Sequence, residues 1–425
     1  MTLREAGYRE RLVDPVIDRL LPVVGAVSVE GPRWCGKTWT SLAHANSVFF
    51  LTDPAGGFRN RELAQLDPLA ALAGDPPHAV DEWQEVPGIW DAVRHEVDRG
   101  SGRGRYLLTG SSVPADDATA HSGIGRIARL RIRPMTLAES GDSTGEVSLG
   151  ALRNGNSPSA APGRLTVARV TELVIRGGWP ASLDLTVAQA GEVAQLYMDG
   201  LARADASRID SVRRDPGKVA SLLASLARNS ATTVTNATIL RDIQSADETI
   251  SSTTLAEYLS ILQRLYVLEQ IPAWEPALRS PVRLRQAPKR LLVDPSLAAA
   301  GIRATPATLA AEPKTLGFLF ETMILRDLLV FADLYGGRLY HYRDSTGLEA
   351  DAILTWPDGE WAAIEIKLGH TQTDKAAAAL TRLSNKMVQG GHKAPVLLLA
   401  IVGVGSYTHR RDDGVYVVPA DLLGP

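Results

Sequence analysis

At 425 residues the chain is too long for one hydrophobic core to organise, and its length predicts two to three domains. With 45% apolar and 22% charged residues it has the balance of a globular protein, which excludes a disordered or fibrous chain, and a net charge of -3 leaves only local basic patches to draw it to nucleic acid. No apolar run reaches the length of a membrane span, the opening MTLREAGYRERLVD has no signal-peptide pattern, and the single cysteine, Cys35, allows no internal disulfide, so the expected location is the reducing cytoplasm.

The first strong pattern is VSVEGPRWCGKTWTSL, an apolar β-rich run, a glycine-framed loop and the start of a helix. Gly31, Gly36, Lys37 and Thr38 satisfy G-x-x-x-x-G-K-[ST]. In that pattern the glycines let successive backbone N–H groups face phosphate oxygens. The lysine reaches the β and γ phosphates, and the threonine hydroxyl is placed to ligate Mg²⁺. Gly31, Pro32, Arg33, Trp34, Cys35, Gly36, Lys37, Thr38 and Trp39 are therefore the expected ATP cradle. The bulky Trp34 and the thiol of Cys35 read as packing filler around a backbone that does the binding.

A P-loop enzyme also needs an acid at the end of a neighbouring strand to hold the metal, and a second to polarise water. PHAVDEWQEV offers Asp81 for the metal and Glu82 for the base, after a short strand of which Ala79 and Val80 are the apolar part. RYLLTGSS is a third strand, whose end presents Thr109, Ser111 or Ser112 as sensors of the γ phosphate, or simply as turn residues. Further on, Arg129, Arg131 and Arg133 alternate with apolar residues as a solvated strand face does. Arg126, directly after Gly125, stands outside that alternation and is the candidate arginine finger across a subunit interface.

These motifs together resemble a family of bacterial and archaeal AAA-type ATPases that carry a carboxy-terminal domain of unknown function. The matching segments are GPRWCGKT, Asp81 to Gln84, Thr109 to Ser111, Gly125 with Arg126, Pro134 to Glu139, and RGGWP from Arg176 to Pro180. The resemblance runs nearly the full length. It implies an α/β fold with a P-loop parallel sheet over 1–140, ATP and Mg²⁺ as cofactors, and assembly into homo-oligomers. A Gly-, Ser-, Asn- and Pro-rich stretch at 141–164 reads as a loop or insertion, and helices over 165–215 as the small helical lid that follows an AAA core. Three helices between 216 and 275 suggest a winged-helix-like module, or a packing module of the same shape. The connecting segment 276–314 brings Arg279, Arg283, Arg285, Lys289 and Arg290 without an intervening acid, readable as a phosphate-tracking strip or as a solvated strand edge.

The last domain, 315–425, holds a second constellation. RLYHYRDSTGLEADAILTW predicts a hairpin with Asp351 on its second strand, and EWAAIEIKLG a further strand with Glu365 and Lys367 on one face and Ile364 and Ile366 on the other. One Asp, one Glu and one Lys converging from adjacent strands suit Mg²⁺-assisted phosphodiester hydrolysis. The arrangement is similar to the restriction-endonuclease-like fold with its D-(x)n-E-x-K motif. That resemblance implies that a helix acid, here Glu321 in LGFLFETMILRDLLVF, joins Asp351 and Glu365 at the metal. Two further readings compete: a same-face ion pair, and a nuclease fold kept as a binding platform. The eight histidines show no paired spacing, so no zinc site is expected.

The leading expectation is an ATP-hydrolysing AAA-type protein acting on DNA, with a magnesium-dependent nuclease-like tail. The alternative is a nucleotide-gated, regulatory or toxin-like ATPase switch that binds a protein partner and uses its tail for docking.

Overall fold

The computed structural model describes residues 2–100, 102–113, 121–156, 158–205, 214–245, 250–276 and 286–425. The chain divides into two compact units, the first holding residues 2–134, Arg203–Asp215 and Glu257–Val267, the second residues 135–202, 216–256 and 268–425, each in its described parts. Among the described residues no helix is long and apolar enough to cross a membrane.

The first unit is a five-stranded, all-parallel sheet. Its strands are β1 (Ala26–Glu30), β2 (Ser47–Phe50), β3 (His78–Asp81), β4 (Tyr106–Gly110) and β5 (Ile127–Arg131), in the spatial order β2-β3-β4-β1-β5. Helices α1 (Asp14–Leu20), α2 (Lys37–His44), α3 (Arg59–Leu66) and α4 (Gly88–Arg99) flank it. The buried runs of β1, β3 and β4 are what a sheet covered on both faces requires. Trp83, Ile89, Trp90 and Val93 fill one side against Val80 and Leu108. The short β3 tolerates His78 because both ring nitrogens have partners, the Ser47 hydroxyl at 2.7 Å and the Ala71 carbonyl at 3.0 Å.

The solvated-face reading of the alternating arginines holds for Arg129, which is exposed although it lies over the Trp90 ring at 4.6 Å. It fails for the next two: Arg131 is half-buried over the Tyr266 ring at 4.6 Å, and Arg133, just past β5, is buried.

The second unit begins with the short helices α5 (Leu137–Ser140) and α6 (Leu149–Arg153), then α7 (Val167–Arg176) and α8 (Val187–Gly200). The stretch expected as a loop at 141–164 carries structure because Val147, Leu149 and Leu152 are buried and the two-residue strand β6 (Val147–Ser148) pairs with the end of the chain. Next come α9 (Pro216–Arg228), α10 (Asn236–Gln244) and α11 (Ser252–Arg264), whose part from Glu257 on counts with the first unit. A two-stranded antiparallel ribbon follows, β7 (Leu268–Ile271) with β8 (Lys289–Leu292), then α12 (Pro295–Gly301), α13 (Pro306–Ala311) and the long α14 (Pro313–Leu334).

The carboxy-terminal sheet comprises β9 (Arg338–Arg343), β10 (Glu349–Thr355), β11 (Trp361–Gly369), β12 (Leu397–Val404), β13 (His409–Arg410) and β14 (Tyr416–Pro419), with β15 (Leu423–Gly424) held on β6. Its order is β13-β14-β12-β11-β10-β9, and β9, β10 and β11 run antiparallel before β12 joins β11 in parallel. Helix α15 (Thr373–Gln389) presents Ala376, Leu380, Leu383 and Met387 at helical spacing to Ile353, Ala363, Ala400 and Val402. Ile364 and Ile366 are also buried, and period two places them on the opposite face.

The RGGWP motif is a structural knot in this unit. A Cβ on Gly178 would sit 2.1 Å from the Met135 carbonyl, and the Gly178 N–H donates to Asp294 Oδ2 at 3.0 Å. Trp179 Nε1 donates to Ser296 Oγ at 2.9 Å. Arg326 donates to both Asp294 (2.8 Å) and Asp327 (2.7 Å), all three side chains being buried. The Glu139 that ends Pro134 to Glu139 closes a capping box with Thr136 on α5.

Candidate functional sites

The P-loop leaves the buried end of β1, turns, and enters α2 at Lys37. Gly31 passes so close to the exit of β5 that a Cβ would lie 2.2 Å from the Ile132 carbonyl. Gly36 caps α2 with φ +100°, and Trp34 also takes a left-handed backbone, φ +66°. Trp34 is not packed as filler: it is 57% exposed and Trp39 45%, whereas Cys35 is fully buried, which pushes its thiol pKa up and makes it inert. Arg11 braces the loop from behind, donating to the Cys35 carbonyl at 2.8 Å and the Arg133 carbonyl at 2.7 Å. Lys37 is buried and its Nζ donates to the Pro32 carbonyl at 2.8 Å.

Strand order explains the rest of this site. Strand β4 lies between β1 and β3, so its end stands between the P-loop and the acids that follow β3. Thr38 Oγ1 and Thr109 Oγ1 each donate to Asp81 Oδ1 at 2.8 Å. Thr109 Oγ1 in turn accepts from the Glu82 N–H at 2.9 Å. Burial raises the Asp81 pKa against the lowering by the two hydroxyls. Glu82 follows with φ +58°, and its Oε2 accepts from Ser111 Oγ at 2.7 Å and from Gln84 Nε2. A hydroxyl and a carboxylate already joined at the P-loop's helix start fit Mg²⁺, with Thr38 and Asp81 as the residues that would hold it. Arg126 precedes β5 at the opposite, amino-terminal end of the strands, about 16 Å of strand from the P-loop end. It is bound there to Asp98 at 2.8 Å.

The second constellation also converges. Ala352 pairs with Ile364, which sets Asp351 beside Glu365, and a bulge in β10 between Ala350 and Ile353 re-aims that residue. Asp351 Oδ2 accepts from the Ile366 N–H at 2.8 Å and Lys367 Nζ at 2.9 Å, and Lys367 lies 2.5 Å from Glu365. Glu321 reaches in from α14. It meets a partner that the sequence reading placed elsewhere: Lys289, 2.6 Å from Glu321 Oε1 and 3.0 Å from the Asp351 carbonyl.

Lys289 and Arg290 were expected in an exposed basic strip, yet both are buried because β8 is covered along its whole length. Arg290 is held by the Val234 carbonyl and Asn236. The other three members, Arg279, Arg283 and Arg285, lie outside the described residues. A signal for Lys289 was present in KRLLVD, where the two cations lead directly into the apolar run Leu291, Leu292 and Val293.

Electrostatically the cluster sets three carboxylates against two ammoniums. Burial and the charge of Asp351 push Glu321 up to about 7 and Glu365 up to about 8. Asp351, despite its burial, is held low by Lys289 and Lys367. Both lysines stay charged against the cost of burial. Mg²⁺ demands about six oxygens at roughly 2.1 Å. With Glu321 on Lys289, and Asp351 and Glu365 on Lys367, the cluster as arranged does not fit that ion; Glu321, Asp351 and Glu365 stand as ion-pair partners rather than as ligands. Among the described residues no group of three or more His, Cys, Asp or Glu is set to hold a metal. A cavity of about 240 Å³ adjoins it, lined by Lys289, Glu321, Asp351, His341 and Phe318 among others.

Comparison with known proteins bears on each part separately. Residues 24–140 match the family model of an AAA domain, and residues 167–308 and 316–423 match two models of domains of unknown function, DUF8612 and DUF4143. Uncharacterized proteins of Mycobacterium tuberculosis and Mycobacterium bovis are each 26% identical over 417 residues, covering 95% of this chain and 82% of theirs. Among solved structures, a Walker-type ATPase of Pyrococcus abyssi is 12% identical over 71% of this chain and 97% of its own, with a TM-score of 0.45. The Aeropyrum pernix ORC1 protein, solved in complex with DNA, is 14% identical over 73% of this chain and 94% of its own, with a TM-score of 0.29. From its parallel sheet, its P-loop and the AAA family match, the amino-terminal part of this α/β chain is an AAA-type P-loop domain.

Proposed function

We propose that the chain is a Mg²⁺-dependent ATPase that works as a homo-oligomer on nucleic acid, with DNA the favoured substrate. The observation that carries the ATPase reading is the line from Thr38 through Asp81 to Thr109, with Glu82 held beside it by Ser111 and Gln84. Lys37, now bonded to a neutral carbonyl, turns to the β and γ phosphates, while the loop N–H groups cradle them. Bound Mg²⁺ supplies charge neutralisation at the phosphates. Glu82 accepts a proton from the attacking water, and Thr109 reports the γ phosphate to Asp81. Arg126 can serve an active site only in a neighbouring subunit, after leaving Asp98.

The DNA reading is supported by the order of three helices and a two-stranded ribbon, which suits a winged helix, and by the arginines between β7 and β8. The tail's order of helix, three antiparallel strands, helix and parallel strand supports the nuclease-like comparison. The burial of Lys289 and Arg290 favours the second reading, a nucleotide-gated switch that binds a protein partner.

The test is ATP turnover with and without single- and double-stranded DNA, alongside Lys37→Ala. We expect turnover that the substitution abolishes and DNA accelerates. Turnover that survives Lys37→Ala removes this P-loop from the reaction. Lys37-dependent turnover that ignores DNA moves the assignment to the protein-partner switch.

A further inference from the structure

The carboxy-terminal turn of α11 belongs to the first unit, and each of its last four carbonyls has a partner. The Leu265 N–H donates to the Ile261 carbonyl at 2.8 Å, Val267 to Leu262 at 3.0 Å and Tyr266 to Gln263 at 2.9 Å. The fourth carbonyl, that of Arg264, accepts from the Val113 N–H at 3.0 Å, and Arg264 Nε donates back to the Val113 carbonyl at 3.0 Å. Val113 stands two residues past Ser111, so this pair of bonds fastens the exit of β4.

The helix stops on a left-handed residue, a position that glycine usually fills. Here it is Tyr266, φ +60°, which carries strain that a glycine would avoid. What the tyrosine adds is its phenol. Tyr266 is buried, and its hydroxyl donates to Glu30 Oε2 at 2.7 Å, while Ser28 Oγ donates to the other oxygen of that carboxylate at 2.9 Å. Glu30 ends β1 directly before Gly31. One helix end thus grips both strands that frame the nucleotide pocket, β1 at the P-loop and β4 at its exit.

We propose that Arg264 is a positioning residue for ATP hydrolysis, setting Glu82 through Val113 and Ser111 from the fixed point that Tyr266 provides. Glu82 takes its place from the end of β4. Its N–H donates to Thr109 Oγ1, its carboxylate accepts from Ser111 and Gln84, and Gln84 Nε2 donates to Ser111 Oγ as well, at 3.2 Å. The Gly110 carbonyl still accepts from the Gly31 N–H at 3.2 Å. Past it, among the described residues, the next backbone hydrogen bond is the one that Val113 makes to Arg264. Arg264 also has a buried Nη2 without a partner among the described residues, the kind of cost that accompanies a functional position. The proposal rests on the ATPase reading with Glu82 as base, and not on DNA binding.

The experiment measures single-turnover ATP hydrolysis and ATP affinity of the full chain. It compares wild type, Lys37→Ala, Arg264→Met, Arg264→Lys, Glu82→Gln, and Glu82→Gln combined with Arg264→Met. We expect Arg264→Met to hydrolyse ATP about tenfold more slowly or worse, with its ATP Kd within about twofold of wild type. Arg264→Lys, which keeps a cationic donor for the Val113 carbonyl, should recover most of the rate. In the Glu82→Gln background Arg264→Met should cost nothing further, because the side chain it sets is no longer a base. Should Arg264→Met not fold, Arg264→Gln carries the same comparison.

An equal loss from Arg264→Met with and without Glu82 overturns the proposal, since the arginine then acts elsewhere. So does a rate at the wild-type level, or an ATP Kd that weakens as much as the rate falls. Wild type without Lys37-dependent turnover sinks the ATPase reading and the proposal together. Lys37-dependent turnover that is indifferent to Arg264 sinks the proposal alone.

Discussion

Arg326→Met removes the cation from the second unit's most buried charge cluster. Its guanidinium donates at 2.8 Å to Asp294 and at 2.9 and 2.7 Å to Asp327. Those carboxylates also accept from the Gly178 and Leu137 N–H groups, so they organise RGGWP and α5 as well. Methionine fills much of the volume but leaves two buried carboxylates without their countercharge, a loss of about 3–5 kcal/mol. At about 2–4 °C per kcal/mol for a unit of this size, the corresponding calorimetric transition should fall by roughly 6–20 °C. The deficit should depend on pH with a definite sign. Burial already pushes Asp327 up to about 6, against the pull of Arg326, so its contribution is fullest below the ordinary carboxylate range and declines as pH rises through 6. Without Arg326 that pKa rises further, and the variant should lose more at pH 8 than at pH 5, where protons replace the missing cation. A transition within about 2 °C of wild type at pH 8 would refute the reasoning, as would a deficit that grows on acidification.

Glu82→Gln should retain ATP binding while lowering turnover by about 10²-fold or more, since it keeps the Ser111 contact and loses only the base; single-turnover kinetics at the wild-type rate would assign the base elsewhere. His341 is buried, and burial with the nearby Lys289 lowers its pKa to about 4. Its contribution is therefore present above about 6.5 and lost as pH falls toward 4, about 3 kcal/mol in the limit. Urea denaturation at pH 7 and 4.5 should show wild type losing more stability than His341→Gln over that interval, and parallel losses would show that the imidazole does not titrate in it.

How much of this was legible in the sequence depends on the range of the interaction. The P-loop was, because its chemistry is local: glycines at a turn, a lysine and a threonine on the first turn of a helix. Asp81 and Glu82 were legible through the same logic although β3 is short; what made that strand sound was His78, whose two hydrogen bonds come from β2 and from Ala71. That β4 inserts between β1 and β3 is a matter of long-range pairing, which local periodicity does not encode. Arg131 misled for a related reason. Alternation identifies a face, but whether Tyr266 covers part of that face is decided elsewhere in the chain. Lys289 is the sharpest case: in sequence it is the fourth of five basic residues, and in space it sits with acids contributed by α14 and β10.

The two lysines at the candidate sites differ in what must be broken to use them. Lys37 is bonded to a neutral carbonyl, an interaction worth about 1.5–3 kcal/mol that the phosphates of an incoming nucleotide replace with stronger ones. Lys289 is bonded to a carboxylate within a buried cluster, and separating that pair without compensation costs about 3–5 kcal/mol. Nucleotide can thus enter the first site unaided, whereas a divalent ion entering the second must displace an ammonium from its carboxylate partner. The asymmetry predicts that simple titration with Mn²⁺ fills the P-loop site of nucleotide-loaded wild type well before the carboxy-terminal one. Equal filling of both would mean that the Lys289 ion pair offers no barrier.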